Sequence, residues 1–386
     1  MPEVAGLVGY LPRGERLASL VAPPYDVIKA GSALEALLRS RPCNLWHVTL
    51  GPSPQAALAE ALAVAFQPLA EPSLLLCEQR WRERGRPERR LGVLAAIGVR
   101  DYRAGEVIRH EKTFDDKVRG RMALTRATGL TLEPVFLLTR APLSAALERV
   151  AAARAPDLVC TPDFGGFNDL HGVEHRLWIL PAASAAGQEI ARLIAALPLY
   201  IADGHHRYHA ALRLGQRHCL AYVTERARIQ AYNRVIRGRR PFAEVRGALP
   251  LSPARWETPP KGRIRIWHAG QAWEYGFCEI PRDPVGRLDC ACLERELYPL
   301  LGLSHDLILD HRYFDYYPER DLERMRAVVE RGDYDIAVAL HPVSIAELMA
   351  VADAGLRDPR IVMPEKSTYF APKILSGLVL YRHAWR

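Results

Sequence analysis

A dense polar stretch directly follows the apolar run Leu199–Ala202 and consists of Asp203, Gly204, His205, His206 and Arg207. The pattern predicts a buried strand, a tight turn and a helix that continues to about Gly215. The first amides of a helix attract an anion, and an arginine with several imidazoles would strengthen that attraction. We therefore expect a phosphate site at this turn. The alternative is a plain turn in which Asp203 caps the helix.

Two further segments carry ionisable residues, His110-Glu111-Lys112 and Tyr25-Asp26. A neighbouring cation keeps the carboxylate of Glu111 ionised, which a general base for hydroxyl activation requires. Two prolines stiffen the backbone ahead of Tyr25 and present Tyr25 and Asp26 on an extended segment. The alternatives are a solvent-facing strand end for Glu111 and a structural turn capped by Asp26.

A third segment, Met363–Lys373, concentrates hydrogen-bond donors between prolines. Lys366, Ser367 and Thr368 can together donate several hydrogen bonds to a phosphate or a carboxylate. The alternative is a surface loop in which the serine caps the following element.

A metal site is a separate interpretation of the central stretch. His205 and His209 are four residues apart, on one face of a helix, and Asp203 and His206 are close by. The order of a His-Glu-x-x-His motif is missing, and Arg207 is an unfavourable neighbour for a divalent cation.

The chain resembles, nearly end to end, the bacterial and archaeal family called domain of unknown function 1015 (DUF1015). The resemblance rests on four motifs: Ala22–Ile28, His110–Thr113, Ile201–Tyr208, and Met363–Phe370 followed by Pro372-Lys373. It favours a site at Tyr25 and Asp26.

Three positions depart from that family. The family usually has Asp-Arg at Gly120-Arg121, His-Arg at Asn233-Arg234 and proline at Glu365. If the family's aspartate helps to bind a metal, this chain lacks that ligand. Asn233 weakens any catalytic role for its position, whereas Arg234 stays a candidate anion ligand.

The central box, Gly204–Ala211, also resembles the Gly-Glu-Arg-Arg-Tyr-Arg-Ala box of ParB partition proteins and the Gly-Cys-His-Arg box of sulfiredoxin. In both, the box lies on a strand-to-helix turn and holds nucleotide phosphates. A free serine kinase is built on the same fold. The resemblance implies an α/β (strictly α+β) fold, with a ParB/sulfiredoxin-like nucleotide-binding core and a second, smaller α/β domain.

The function we expect is nucleotide-dependent phosphoryl transfer from ATP or ADP to a small hydroxyl-bearing metabolite, such as an amino acid or a sugar acid. Glu111, Asp203 and His206 would be catalytic, and Asp203 would hold Mg²⁺. The phosphate ligands would be Gly204, His205, His206, Arg207, Lys366, Ser367 and Thr368, and the substrate ligands Tyr25, Asp26, His110 and Arg234. The alternatives are a nucleotide-binding switch or clamp of the partition type and a histidine-based metal hydrolase.

The elements that position these residues alternate between strand and helix. A proline-rich stretch predicts a domain boundary near residue 250, with domains 1–250 and 251–386. Leu45–Leu50 is predicted to be a strand, and Ser53-Pro54 to begin a helix. Ser73–Arg80 and Leu91–Tyr102 are predicted to form a hairpin joined by a charged, solvated loop.

The composition is that of an ordinary globular protein of 386 residues with a formal net charge of +8. The positive balance suits an anionic ligand, but the chain shows neither a helix-turn-helix pattern nor a basic tail, which does not favour nucleic acid. No apolar run is long enough to span a membrane, and no signal peptide is recognisable. Scattered cysteines indicate reduced thiols, so we expect a cytoplasmic protein; a homodimer is left open.

Overall fold

The computed structural model describes residues 1–83, 85–166 and 170–383. The chain forms two compact units. The first contains Met1–Arg109, Thr113–Ala227 and the segment from Pro372 onward, and the second contains His110–Lys112 and Arg228–Ala371. These limits differ from the boundary predicted near residue 250, because the chain enters the second unit's sheet at Arg228 and returns to the first unit at Pro372.

Helices and strands are mixed in both units, which confirms the predicted α+β class. In chain order the α-helices are α1 Leu17–Leu20, α2 Ala33–Arg39, α3 Trp46–Thr49, α4 Pro54–Ala65, α5 Asp115–Thr128, α6 Ser144–Ala153, α7 Ala185–Ala195, α8 His205–Arg213, α9 Phe242–Val245, α10 Asp289–Glu296, α11 Leu322–Glu330 and α12 Ile345–Arg357. Among the described residues, no helix combines the length and the apolar character that crossing a membrane requires.

Within the described ranges, the strands form three sheets. In chain order they are β1 Val4–Ala5, β2 Gly9–Pro12, β3 Phe66–Pro68, β4 Ser73–Glu83, β5 Arg86–Gly98, β6 Val107–Ile108, β7 Leu130–Thr131, β8 Val135–Thr139, β9 Leu158–Cys160, β10 Glu174–Pro181, β11 Leu199–Asp203, β12 His218–Thr224, β13 Arg228–Ile236, β14 Ser252–Ala254, β15 Arg263–His268, β16 Gln271–Gly276, β17 Phe314–Pro318, β18 Ile336–Leu340, β19 Thr368–Ala371 and β20 Leu380–Arg382.

The main sheet of the first unit has the order β6-β11-β8-β12-β5-β4-β10-β9, and β1 pairs with β5. Most neighbours are antiparallel, whereas β11–β6 and β12–β8 are parallel. Its core contains apolar residues of β5, β8, β11 and β12 together with Tyr208 and Ala211 of α8. A smaller sheet, β3-β2-β20-β7, ties the C-terminal segment to the same unit.

The hairpin β4–β5 is longer than predicted. The charged stretch expected to be a solvated loop continues both strands, which pair from Leu75 and Leu94 to Glu83 and Arg86. Arg84 of that stretch lies outside the described residues. The extension brings Arg90 into the interior, where its side chain is buried.

The second unit is built on the sheet order β14-β16-β15-β18-β13-β17, with β19 pairing with β13. Strands β15 and β16 form an antiparallel hairpin, in which Arg263 pairs with Gly276 and His268 with Gln271. Helix α12 begins with a capping box, in which Ser344 and Glu347 exchange hydrogen bonds with each other's backbone amides.

Candidate functional site

The predicted strand, turn and helix around Asp203 are present as β11 and α8. Near its end β11 carries a bulge against β8, because Ile201 pairs with Leu137 and Asp203 with Phe136, so that Ala202 is an extra residue. A bulge of this kind changes the direction of the side chains that follow it. The bulge therefore sets the direction of Asp203 at the end of the strand.

Gly204 is required at the turn by its backbone conformation. It is the N-cap of α8, with a φ of 94° in the left-handed region that glycine adopts without strain. A Cβ atom at this position would lie 2.7 Å from Nε of Arg207, because the guanidinium folds back over the glycine. The turn thus brings the arginine head group against the N-terminus of its own helix.

The helix begins without a side-chain cap at Gly204. Its first hydrogen bond runs from the amide of Tyr208 to the carbonyl of Gly204, at 3.0 Å. The N–H groups of the first turn lie ahead of this bond, at the positive end of the helix dipole. The alternative in which Asp203 caps the helix is wrong, because Gly204 occupies the N-cap position.

Asp203 is held by two cations. Its Oδ2 accepts a hydrogen bond from Nζ of Lys373 at 2.9 Å, and its Oδ1 lies 3.4 Å from a guanidinium nitrogen of Arg207. Burial raises the pKa of the Asp203 carboxyl, but the adjacent Lys373 and Arg207 charges lower it further, so the pKa lies well below its ordinary value. Asp203 is therefore ionised at neutral pH.

Arg207 has a second carboxylate neighbour, the buried Glu133, at 3.7 Å. The other oxygen of Glu133 accepts hydrogen bonds from the Ser376 hydroxyl at 3.0 Å and from the Tyr25 amide at 3.3 Å. We call Asp203, Arg207, Glu133 and Lys373 the charge cluster. The two carboxylates of the cluster balance its two cations. Glu133 links the cluster to the segment that carries Tyr25, through the hydrogen bond from the Tyr25 amide.

The backbone on either side of the Lys373 side chain is also held from the hairpin β4–β5. Arg90 donates a hydrogen bond to the carbonyl of Pro372 at 2.5 Å, and the Gln79 side-chain amide donates one to the carbonyl of Lys373 at 2.9 Å. Arg90 also donates to the Gln79 side-chain oxygen. These buried contacts fix the position from which Lys373 reaches Asp203.

The predicted pair Tyr25-Asp26 lies on the short 3-10 helix Tyr25–Val27. The guanidinium of Arg121 stacks on the Tyr25 ring with its carbon 3.8 Å from the ring centroid. Burial raises the pKa of the Tyr25 hydroxyl, so the phenol stays protonated at neutral pH. Asp26 is exposed. A Cβ atom at Gly120, the position before Arg121, would meet no atom within 4 Å, so α5 has room there for a larger residue.

The histidines of the central stretch have separate partners. Nε2 of His206 accepts the Phe114 amide at 3.1 Å, which in the neutral ring puts the proton on Nδ1. Nε2 of His209 accepts from Nε of Arg213 at 3.1 Å, and its ring stacks on Tyr102. Burial, followed by the Arg213 charge, lowers the pKa of His209. The predicted metal-binding pair therefore has one histidine committed to an arginine.

His205, the first residue of α8, is buried. The other predicted site residues belong to the second unit. There, Nε2 of His110 lies 3.7 Å from a Glu111 oxygen. Arg234 and Lys366 are brought together, since Arg234 donates to the carbonyl of Lys366 at 3.2 Å. The Ser367 hydroxyl donates to the Pro364 carbonyl, and Thr368 pairs with Ala231 in the sheet.

Asn233, where the resembled family usually has histidine, is fully buried. Its side-chain oxygen accepts the Leu340 amide at 2.9 Å. The Asn233 side chain therefore contributes a hydrogen bond between β13 and β18 in the sheet of the second unit.

The expected magnesium role of Asp203 does not fit the geometry well. Magnesium is bound through carboxylate oxygens that are free to coordinate it, whereas each Asp203 oxygen already faces a cation. The arrangement fits Asp203 as the anion that holds Lys373 and Arg207.

Sequence reasoning missed Lys373, Glu133 and Arg90. Lys373 belongs to the same segment, Met363–Lys373, as the three donors that were selected. The sequence therefore indicated a cation in this segment, but the role was assigned to Lys366. Glu133 has no motif of its own. Arg90 was counted among the charges of a surface loop.

Comparisons with known proteins add a family. A family model described as "Protein of unknown function (DUF1015)" matches residues 7–246. No curated protein matches the chain.

Three solved structures illustrate the structural similarity. A free serine kinase in complex with AMP is 12% identical, with 74% of this chain and 92% of that chain covered and a TM-score of 0.38. A conserved hypothetical protein from Pyrococcus furiosus is 12% identical, with 74% and 95% covered and a TM-score of 0.37. SbnI with C-terminal truncation from Staphylococcus aureus is 12% identical, with 73% and 85% covered and a TM-score of 0.37. Similarity this distant carries no argument about activity.

Proposed function

Because the chain belongs to DUF1015, a family of proteins of unknown function, its activity has to be inferred from its own site, and we propose that it is a nucleotide-dependent phosphotransferase acting on a small hydroxyl-bearing metabolite. The observation that carries this proposal is the position of Arg207. Its guanidinium lies against the N-terminus of its own helix, beside Gly204. A helix N-terminus together with an arginine is a combination suited to a phosphate group.

The charge cluster supports the same proposal. A buried ion-pair network contributes little net stability, because removing the charges from water offsets their attraction. Stability alone therefore does not explain why two cations are kept at this turn. A role in binding and neutralising phosphate explains both Arg207 and Lys373, with Asp203 and Glu133 holding them in position.

The proposed reaction assigns these residues simple tasks. The helix N-terminus and Arg207 bind the phosphates of the nucleotide, and Lys373 offsets the charge of the transferred group. The bond between the terminal phosphorus and its bridging oxygen breaks, and a bond from the acceptor oxygen to that phosphorus forms. The nucleotide with one phosphate fewer leaves, and a carboxylate base takes the hydroxyl proton.

Calorimetric titration tests the binding step. ATP, ADP and AMP are titrated with and without Mg²⁺ into the wild type, Arg207→Gln and the control Arg213→Gln, which changes an arginine at the far end of the same helix. Hydrogen bonds to a charged group contribute about 1.5–3 kcal/mol, so Arg207→Gln should weaken binding at least about tenfold. Arg213→Gln should bind like the wild type. Equal affinity of Arg207→Gln and the wild type, or no binding at all, would contradict the proposal.

Phosphorus NMR tests the transfer step. The protein is incubated with the nucleotide that binds and with pools of amino acids and hydroxy acids, and a new phosphate ester is sought. Its appearance in the wild type and its absence in Lys373→Met are expected. Binding without transfer would instead support the nucleotide-binding switch.

A further inference from the structure

The second unit contains a buried arginine whose hydrogen-bond partners are all neutral. The side chain of Arg234 is 3% exposed. It donates to the Tyr298 hydroxyl at 2.6 Å and to the carbonyls of Lys366 at 3.2 Å and Tyr232 at 3.3 Å. Its Nε is buried and finds no hydrogen-bond partner among the residues that the structure describes.

No counter-charge balances this guanidinium. Arginine stays protonated in proteins. Burial raises the pKa values of Tyr298 and Cys290, so both neighbours are neutral at pH 7. Within the described part of the chain, no carboxylate lies within ion-pair distance of Arg234. Glu294 is paired with His305 at 2.6 Å, and Glu365, which precedes Lys366 in the chain, lies 3.8 Å from the same histidine.

A second cation lies beside the same aromatic ring. The ring centroid of Tyr316 is 5.5 Å from the guanidinium carbon of Arg234 and 5.8 Å from Nζ of Lys366. Lys366 also lies 5.4 Å from the Tyr232 ring centroid. The backbone of Lys366 has a φ of 58°. The hydrogen bond that the Lys366 carbonyl accepts from Arg234 helps to hold that conformation. The described residues provide no carboxylate partner for this ammonium group either.

Two uncompensated cations at one place, one of them buried, are costly for a folded protein, because a buried charge needs a partner of opposite sign. A bound anion would supply that partner. We propose that Arg234 and Lys366 form a binding site for the carboxylate or phosphate group of a small metabolite. The guanidinium provides the buried Nε–H donor, and the partly exposed lysine provides a second positive charge on a flexible side chain. The site lies within the second unit and does not depend on the phosphotransfer proposal.

The test uses the Arg207→Gln protein, in which the first unit's phosphate turn is weakened. Glycolate and acetate serve as carboxylate probes, and inorganic phosphate and glycerol phosphate as phosphate probes. Binding of at least one class is measured by calorimetry, alone and after adding Lys366→Met or Arg234→Lys. A loss of affinity of at least tenfold is expected in both. The control, Arg360→Met, removes an exposed arginine of the same unit and should bind like its parent.

The pattern of probes identifies the anion. Binding of carboxylates alone, or of phosphates alone, assigns the chemical class, and binding of both indicates a general oxyanion site. If no probe binds, or if Lys366→Met binds as tightly as its parent, the site does not exist. Lys366 is partly exposed, so this variant is expected to fold even if the Arg234 variant does not.

Discussion

Lys373 and Asp203 form a buried ion pair with 2.9 Å between Nζ and Oδ2, although 170 residues separate them in the sequence. Their side chains are only 7% and 20% exposed. Lys373 belongs to the C-terminal segment, whereas Arg207 lies on α8 and Glu133 lies in the loop before β8. The charge cluster therefore joins three separate parts of the first unit.

Removal of one member of this pair should destabilise the first unit. Lys373→Met leaves Asp203 buried with one cation fewer, and breaking a buried pair costs about 3–5 kcal/mol. Urea unfolding measures the change, with the exposed Lys29→Met as control, expected within about 0.5 kcal/mol of the wild type. The double variant Asp203→Asn/Lys373→Met should lose less than the sum of the single variants. Additive losses would show that the two residues do not interact.

Stability should depend on pH through Asp203. Its pKa is lowered in the folded protein from an ordinary value of 3.8. A lowered pKa stabilises the fold above the unfolded-state pKa, and this contribution disappears as the pH falls through the folded-state value. The difference in unfolding free energy between the wild type and Asp203→Asn should therefore shrink as the pH falls below about 4. A constant difference from pH 6 to pH 3 would refute the assignment.

Two glycines should respond in opposite directions to alanine. Gly204→Ala forces a left-handed backbone on alanine and pushes its Cβ into Arg207, so a loss of about 1–3 kcal/mol is expected. Gly120→Ala lies within helix α5 with open space around it, so a gain of about 0.5–1 kcal/mol is expected. Thermal unfolding of both variants provides the measurement. A neutral Gly204→Ala would mean that the turn can relax and that Arg207 is not held there.

Asn233 should matter for stability and not for nucleotide binding. Asn233→Ala leaves the buried Leu340 amide without its acceptor, which costs about 1–3 kcal/mol. Ser252→Ala, an exposed change in the same unit, is the control. Calorimetry should give both variants the nucleotide affinity of the wild type. A selective loss of affinity in Asn233→Ala would point instead to a role in the site.

The parts of the fold that the sequence predicted well are those set by local pattern. The apolar run before Asp203, the glycine and the helical residues after it define β11 and α8 within a few residues. Pro54 begins α4 as expected, because proline suits the first turn of a helix. Such signals need no knowledge of distant contacts.

Other parts depend on contacts between distant residues. Leu45–Leu50 was predicted to be a strand, but Trp46–Thr49 is helical. Asn44 accepts the Trp46 amide and donates to the carbonyls of Ser19 and Val21, and these bonds outweigh the β-branched pattern. Asn44 carries no local signal that reveals such partners.

For the same reason, only two of the four residues of the charge cluster were predicted from the sequence. Asp203 and Arg207 share one turn and could be recognised together. Glu133 and Lys373 reach that turn from a loop before β8 and from the C-terminal segment. Without knowledge of the topology, Lys366 was as good a candidate for the cation as Lys373.

The return of the C-terminal segment to the first unit also affects how the protein is made. A ribosome adds about 5–20 residues per second, so Lys373 is synthesised about 10–30 s after Asp203. During that interval the nascent first unit has its carboxylate without the lysine, and β20 is missing from the small sheet. The turn at Asp203 therefore acquires its lysine only after the Arg228–Ala371 segment of the second unit has been synthesised.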